Sequence, residues 1–122
     1  MTATMLQEGD GWRLGWNEER EPFKALVGGE YWALELTQNE FEDLRRLGQQ
    51  LAQTMTAMAT ELMPDERIAC EQETAQLWIE AEGFYHSYGL RFILLHGRGG
   101  EGAWPATVVP AVLDGLARIK VF

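Results

Sequence analysis

Apolar positions alternate with polar ones through Trp12, Leu14 and Trp16, against Arg13, Gly15 and Asn17. This period of two predicts a half-buried strand. A run from Phe23 to Val27 predicts a second strand, and Gly28 and Gly29 after it supply a dipeptide suited to a tight hairpin. The partner strand is expected over Tyr31 to Leu36. At Thr37 the period changes. Thr37 and Glu40 have the spacing of a capping box, with Leu36 and Phe41 at the two staple positions. Phe41, Leu44, Leu47, Leu51, Met55, Met58 and Leu62 then recur at steps of three or four, which predicts one long amphipathic helix ended by Pro64.

The second half repeats this order. Strands are expected over Arg67 to Glu73, Gln76 to Ala81 and Tyr88 to Leu95, with Glu82 to Ser87 as a connection. A glycine-rich loop, Gly97 to Gly102, leads through Trp104 and Pro105 to a shorter helix carrying Val109, Val112, Leu113 and Leu116. Strands joined by short turns and followed by a helix favour antiparallel sheets, because parallel neighbours need a crossover. The expected fold is therefore α+β: two successive sheet-then-helix halves, 1–64 and 65–122, in a single domain over 1–122. A small cupin-like β-barrel with helices is the alternative. The long central helix argues against it.

Alternation also assigns faces. If Leu36 points inward with the staple, then Trp32, Leu34, Leu77, Ile79, Leu90, Phe92 and Leu94 form the core side. The uncovered face would carry Arg13, Lys24, Tyr31, Glu35, Trp78, Glu80 and Arg91. Of the five tryptophans, Trp12, Trp16 and Trp32 read as packing residues, whereas Trp78 and Tyr31 turn outward. Such exposed aromatics can stack on bases or on a partner's apolar surface.

Composition narrows the chemistry. Ten Lys and Arg against 19 acids give a formal charge of −9, which repels polyanions at long range. Cys70 is the only cysteine, so no intramolecular disulfide forms and a reducing, cytoplasmic setting is expected. No membrane segment is expected either, since no apolar run approaches about 18 residues. Gly97, Gly99 and Gly102 match G-x-G-x-x-G, the pattern of a dinucleotide-binding turn. Trp104 and Pro105 intervene before the helix, however, and the ribose-binding acid has no place to follow. His86, His96 and Cys70 lack metal-ligand spacing. Carboxylate pairs such as Glu71 with Glu73, or Glu80 with Glu82, share a strand face and read as solvated surface. No enzyme and no cofactor is expected.

Tyr31-Trp32-Ala33-Leu34-Glu35-Leu36-Thr37, with its acidic helix start, and the segment from Leu90 to Pro105 resemble a small cyanobacterial family of unknown function. That family is similar in fold to the Whirly and positive-cofactor-four single-stranded DNA-binding transcriptional regulators. The resemblance implies four strands before each helix, hence an unmarked strand near the N-terminus or in the turn regions. It also implies a basic K-G-K-A-type stretch for the nucleic-acid backbone. The nearest match is Lys24-Ala25-Leu26, without the second lysine and its glycine.

Two functions follow as expectations. One is a non-enzymatic interaction or regulatory module using the open sheet face to bind a protein partner. The other is a single-stranded nucleic-acid binder, disfavoured by net charge, with Arg13, Lys24, Trp78, Arg91 and Arg98 as stacking and phosphate contacts. Together with Tyr31 these define the expected binding face. A homodimer is also expected, because a stripe from Phe41 to Leu62, about 30 Å long, outruns a small sheet.

Overall fold

The computed structural model describes residues 4–119. Its elements are β1 (Thr4–Gly9), β2 (Trp12–Asn17), β3 (Ala25–Gly29), β4 (Ala33–Leu36), α1 (Gln38–Ala57), β5 (Ile68–Glu73), β6 (Leu77–Phe84), β7 (Ser87–Leu94), β8 (Glu101–Trp104) and α2 (Val109–Arg118). Two antiparallel meanders result, β1-β2-β3-β4 and β5-β6-β7-β8. The two sheet-then-helix halves are present, and no barrel closes.

Two strands escape the sequence pattern for local reasons. In β1 the apolar Leu6 faces out and the half-buried Gln7 faces in, so the expected alternation is reversed. In β8 the inward positions are Gly102 and Trp104, and four residues with a glycine read as loop. β6 also runs three residues past Ala81, so the expected connection shrinks to the turn at Tyr85 and His86.

Each helix covers the sheet of the other half. α1 follows the first sheet but packs on β5 and β6, while α2 follows the second sheet and packs on β1 and β2. Gly115 of α2 lies so close to Trp12 and Leu14 that an added Cβ would fall 2.8 and 2.9 Å from their side chains. The helices meet at Gly48, whose open side admits Leu113 and Leu116. Gln49 donates to the Leu113 carbonyl at 2.9 Å, and Arg45 to that of Leu116 at 3.2 Å. The resulting core is continuous across both halves and includes Leu14, Trp16, Leu36, Phe41, Leu47, Ile79, Phe92, Trp104 and Val112.

α1 starts as expected. Thr37 Oγ1 accepts from the Glu40 amide at 3.2 Å, and Glu40 Oε1 accepts from the Thr37 amide at 2.8 Å. The staple pair Leu36 and Phe41 is fully buried. The end of the helix differs from expectation. α1 stops at Ala57, and a 3₁₀ turn takes Met58–Thr60. Below Met55 the stripe leaves the sheet, so Met58 and Leu62 are only half-buried. The helix itself ends two residues after the buried Met55, so the half-buried end of the stripe belongs to the turn that follows it. No described helix is long and apolar enough to cross a membrane.

Gly28 and Gly29 are strand residues rather than turn residues. The β3–β4 loop is Glu30 and Tyr31, closed by the Gly29 amide donating to the Trp32 carbonyl at 2.9 Å. Neither glycine has positive φ. The missing side chain of Gly29 instead admits tryptophan. A Cβ on Gly29 would lie 2.2 Å from Trp32 Nε1, and one on Gly102 would lie 2.4 Å from the same ring. Trp32, held between these glycines, donates to the Ala103 carbonyl at 3.0 Å, while buried Trp104 donates to the Gly28 carbonyl at 2.9 Å. Each half thus sends one indole N–H to a carbonyl of the other. Phe92 completes the cluster, 5.8 Å from Trp32 and 5.6 Å from Trp104 between ring centroids.

Filling either glycine displaces Trp32 from both its ring contacts and its hydrogen bond. Gly29→Ala and Gly102→Ala are each expected to lower unfolding stability by about 1–3 kcal/mol, the usual range for overpacking a core. Urea unfolding followed by circular dichroism measures this. Gly15→Ala, where a Cβ meets only ordinary contacts, is expected to cost nothing.

Candidate functional site

The structure distributes the six predicted face residues over four places. Arg13 and Lys24 lie on the outer face of the first sheet. Trp78 and Arg91 lie on the outer face of the second. Tyr31 sits at the β3–β4 turn, 90% exposed, and Arg98 belongs to the loop between β7 and β8. Alternation separates inward from outward positions correctly, but two sheets give two outer faces where one was expected.

The cations on these faces are already engaged. Arg13 contacts Glu8 at 3.2 Å, and Lys24 contacts Glu18 at 3.1 Å and Glu21 at 3.3 Å. Arg91 contacts Glu80 at 3.5 Å and lies 4.8 Å over the Trp78 ring. Arg98 is a fold residue. Gly97 and Gly99 on either side adopt positive φ, 66° and 64°, which only glycine does freely, and the loop directs Arg98 toward the start of α1. There it donates to Glu40 Oε1 at 2.7 Å and to the Glu35 carbonyl at 3.0 Å, and stacks 4.5 Å over Phe23. Glu40, only 3% exposed, therefore caps its own helix and binds the other half. The G-x-G-x-x-G pattern is explained by this loop and by the Trp32 slot at Gly102. α2 begins seven residues beyond Gly102, at Val109.

The second sheet's outer face has a defined pattern. Register places Glu73, Trp78, Ile93 and Glu101 in one row across all four strands. The neighbouring row is Glu71, Glu80, Arg91 and Ala103. Glu82 lies beyond it, held by Arg67 at 2.8 and 3.0 Å, and Arg67 also covers the Phe84 ring. Among the described residues Glu71, Glu73 and Glu101 make no ion pair. An apolar centre of Trp78 and Ile93 is thus bordered by unneutralised carboxylates on both edge strands.

Sequence reasoning treated these acids as scattered solvated groups. What it lacked was β8 and the register of the strands, which gather the acids of β5, β6 and β8 into one patch. The i, i+2 spacing of Glu71 with Glu73 and of Glu80 with Glu82 was the available signal.

The remaining titratable groups do not assemble a reaction centre. Cys70 is half-buried on the core side of β5, His86 lies at the β6–β7 turn 3.0 Å from the Pro64 carbonyl, and His96 is exposed beyond β7. Among the described residues no group of three or more His, Cys, Asp or Glu is placed to hold a metal ion. Burial raises the Tyr88 phenol above its ordinary value.

A family model described as "Domain of unknown function (DUF1818)" matches residues 7–119. The chain belongs to this family. A crystal structure of a protein with unknown function from the DUF155 family, from Prochlorococcus sp. NATL2A, is similar to this DUF1818 chain throughout. The TM-score is 0.87 at 32% identity, over 93% of this chain and 96% of that one. No curated protein matches the chain.

The Trp16 indole, which donates to Glu18 at 3.0 Å, and next Lys24, hold the Glu18 carboxyl below its ordinary value. Glu18, and then Glu21, raise Lys24. For a lowered carboxylate, the stabilisation is present above its unfolded pKa and is lost as pH falls through the folded one. For a raised lysine it is present below the unfolded pKa and is lost as pH rises through the folded one. The Trp16 Nε1–H resonance in ¹⁵N NMR is therefore expected to titrate with a midpoint below the ordinary glutamate range, and to lose that transition in Glu18→Gln.

Proposed function

We propose that this protein is a non-enzymatic interaction module whose docking surface is the outer face of the second sheet, and that its partner is a protein segment bearing basic residues. The row Glu73, Trp78, Ile93, Glu101 carries this reading. Its apolar centre supplies contact area, and charge at its ends selects the partner's sign. The edge strands are about 14 Å apart, three steps of about 4.8 Å. An extended segment with basic residues at i and i+4 and an apolar residue at i+2 puts all three on one face over about 13 Å, and laid across the strands it matches that spacing.

The twice-repeated order of four strands and a helix supports the resemblance to the Whirly and positive-cofactor-four regulators in architecture. The charges do not support their ligand. Phosphate binding draws on free cations, and Arg13, Lys24, Arg91 and Arg98 each contact a carboxylate. Architecture can be kept while the ligand changes.

Fluorescence anisotropy tests the assignment with a labelled peptide carrying Lys or Arg at i and i+4 and Trp or Leu at i+2, and a labelled single-stranded oligonucleotide in parallel. The peptide is expected to bind, more weakly at higher salt. Glu73→Gln with Glu101→Gln is expected to weaken it by about three- to tenfold, the scale of exposed ion pairs, whereas Glu30→Gln with Glu61→Gln is expected to leave it unchanged. Salt-sensitive binding of the oligonucleotide, or equal loss from both variant pairs, would contradict the assignment.

A further inference from the structure

The first sheet's outer face poses a separate question at Gly15. A glycine inside a strand lowers stability by about 0.5–1 kcal/mol and usually marks a place where something must come close. Elsewhere the reason lies inside the molecule: a Cβ on Gly9, Gly29, Gly102 or Gly115 would come within 3.0 Å of a tryptophan ring. Gly15 has no such neighbour. Its φ is not positive, and a Cβ would meet Leu26 Cβ at 3.5 Å, an ordinary contact. Neither backbone nor internal packing requires glycine there. Gly15, itself buried, floors a trough of about 240 Å³ whose walls include Leu6, Leu26, Phe23, Arg20 and Lys24.

Directly beside this hole stands a knob. Leu6 pairs with Gly15 across β1 and β2, points to the same outer face and is 57% exposed. A two-fold axis passing between them would seat each copy's Leu6 over the other's Gly15, the self-complementarity that an isologous contact needs. Charge favours the same face. A chain of net charge −9 opposes its own association. On this face, however, Arg13 contacts Glu8, Arg20 contacts Glu35 at 2.6 Å, and Lys24 lies between Glu18 and Glu21, so three cations offset all but one of four carboxylates. The second sheet, with its unpaired acids, would repel a copy of itself.

We propose that the outer face of the first sheet is a self-association surface, with Leu6 of each copy seated over Gly15 of the other. Four strands about 4.8 Å apart and four to six residues long give a face of roughly 300 Å². A stable complex needs about 800 Å² per partner. The dimer is therefore weak, with a dissociation constant on the order of 0.1–1 mM. This inference uses the opposite sheet from the basic-partner surface and does not depend on it.

Sedimentation velocity on the full chain, from about 10 µM to 1 mM at about 0.15 M salt, tests the proposal. The weight-average mass is expected to rise from 13.8 kDa toward twice that value. Gly15→Val, which fills the hole, and Leu6→Gln, at an exposed position that cannot unfold the core, are each expected to weaken association at least about tenfold. Circular dichroism melts confirm that both variants fold, and Glu73→Gln with Glu101→Gln should associate like the parent. A chain that stays at 13.8 kDa throughout, or a dimer that both variants leave intact, overturns the proposal. So does a monomer whose Leu6 and Gly15 amide resonances shift only when an apolar peptide is added, because the trough then serves another chain.

Discussion

Neither half of this protein has a core of its own. Each sheet presents an apolar inner face, and the helix that covers it comes from the other half of the chain. The exchange is reinforced wherever the halves meet. Trp32 and Trp104 donate reciprocally to carbonyls across the junction. Arg98 reaches from the second half into the capping box of α1, where a buried glutamate would otherwise be an uncompensated charge. Thr74 in the β5–β6 turn donates to Asp43 of α1 at 2.8 Å.

This arrangement determines what remains for binding. With each helix packed on the inner face of one sheet, the outer faces are left uncovered. The two faces have diverged. The first is a glycine-floored apolar trough whose carboxylates are mostly paired, and the second is an aromatic centre bordered by unpaired carboxylates. A duplicated architecture thus offers two chemically distinct surfaces, and neither has free cations in the number that nucleic-acid backbone binding calls for.

Much of the fold was legible because local signals agreed with one another. The period change at Thr37, the capping box and the staple all pointed to one helix start, and alternation along β2, β6 and β7 picked the buried residues correctly. What was hidden depends on contacts distant in sequence. Gly29 and Gly102 resemble turn or loop glycines until the indole that fills their space is known. Arg98 resembles a surface cation until Glu40 is found beneath it. β1 and β8 lack alternation because Leu6 faces out and Gly102 faces in. The acidic patch exists only through strand register, which single-residue patterns do not encode.

Native-state hydrogen exchange on the full chain tests the shared core most directly. If each sheet depends on the other half's helix, the slowest amides of β2 and β3 and those of β6 and β7 open at the same free energy, and Leu47→Ala in α1 lowers both by the same amount. If one sheet's amides exchange at a distinctly lower free energy, or Leu47→Ala loosens only the second sheet, the halves are independent units and the account is wrong.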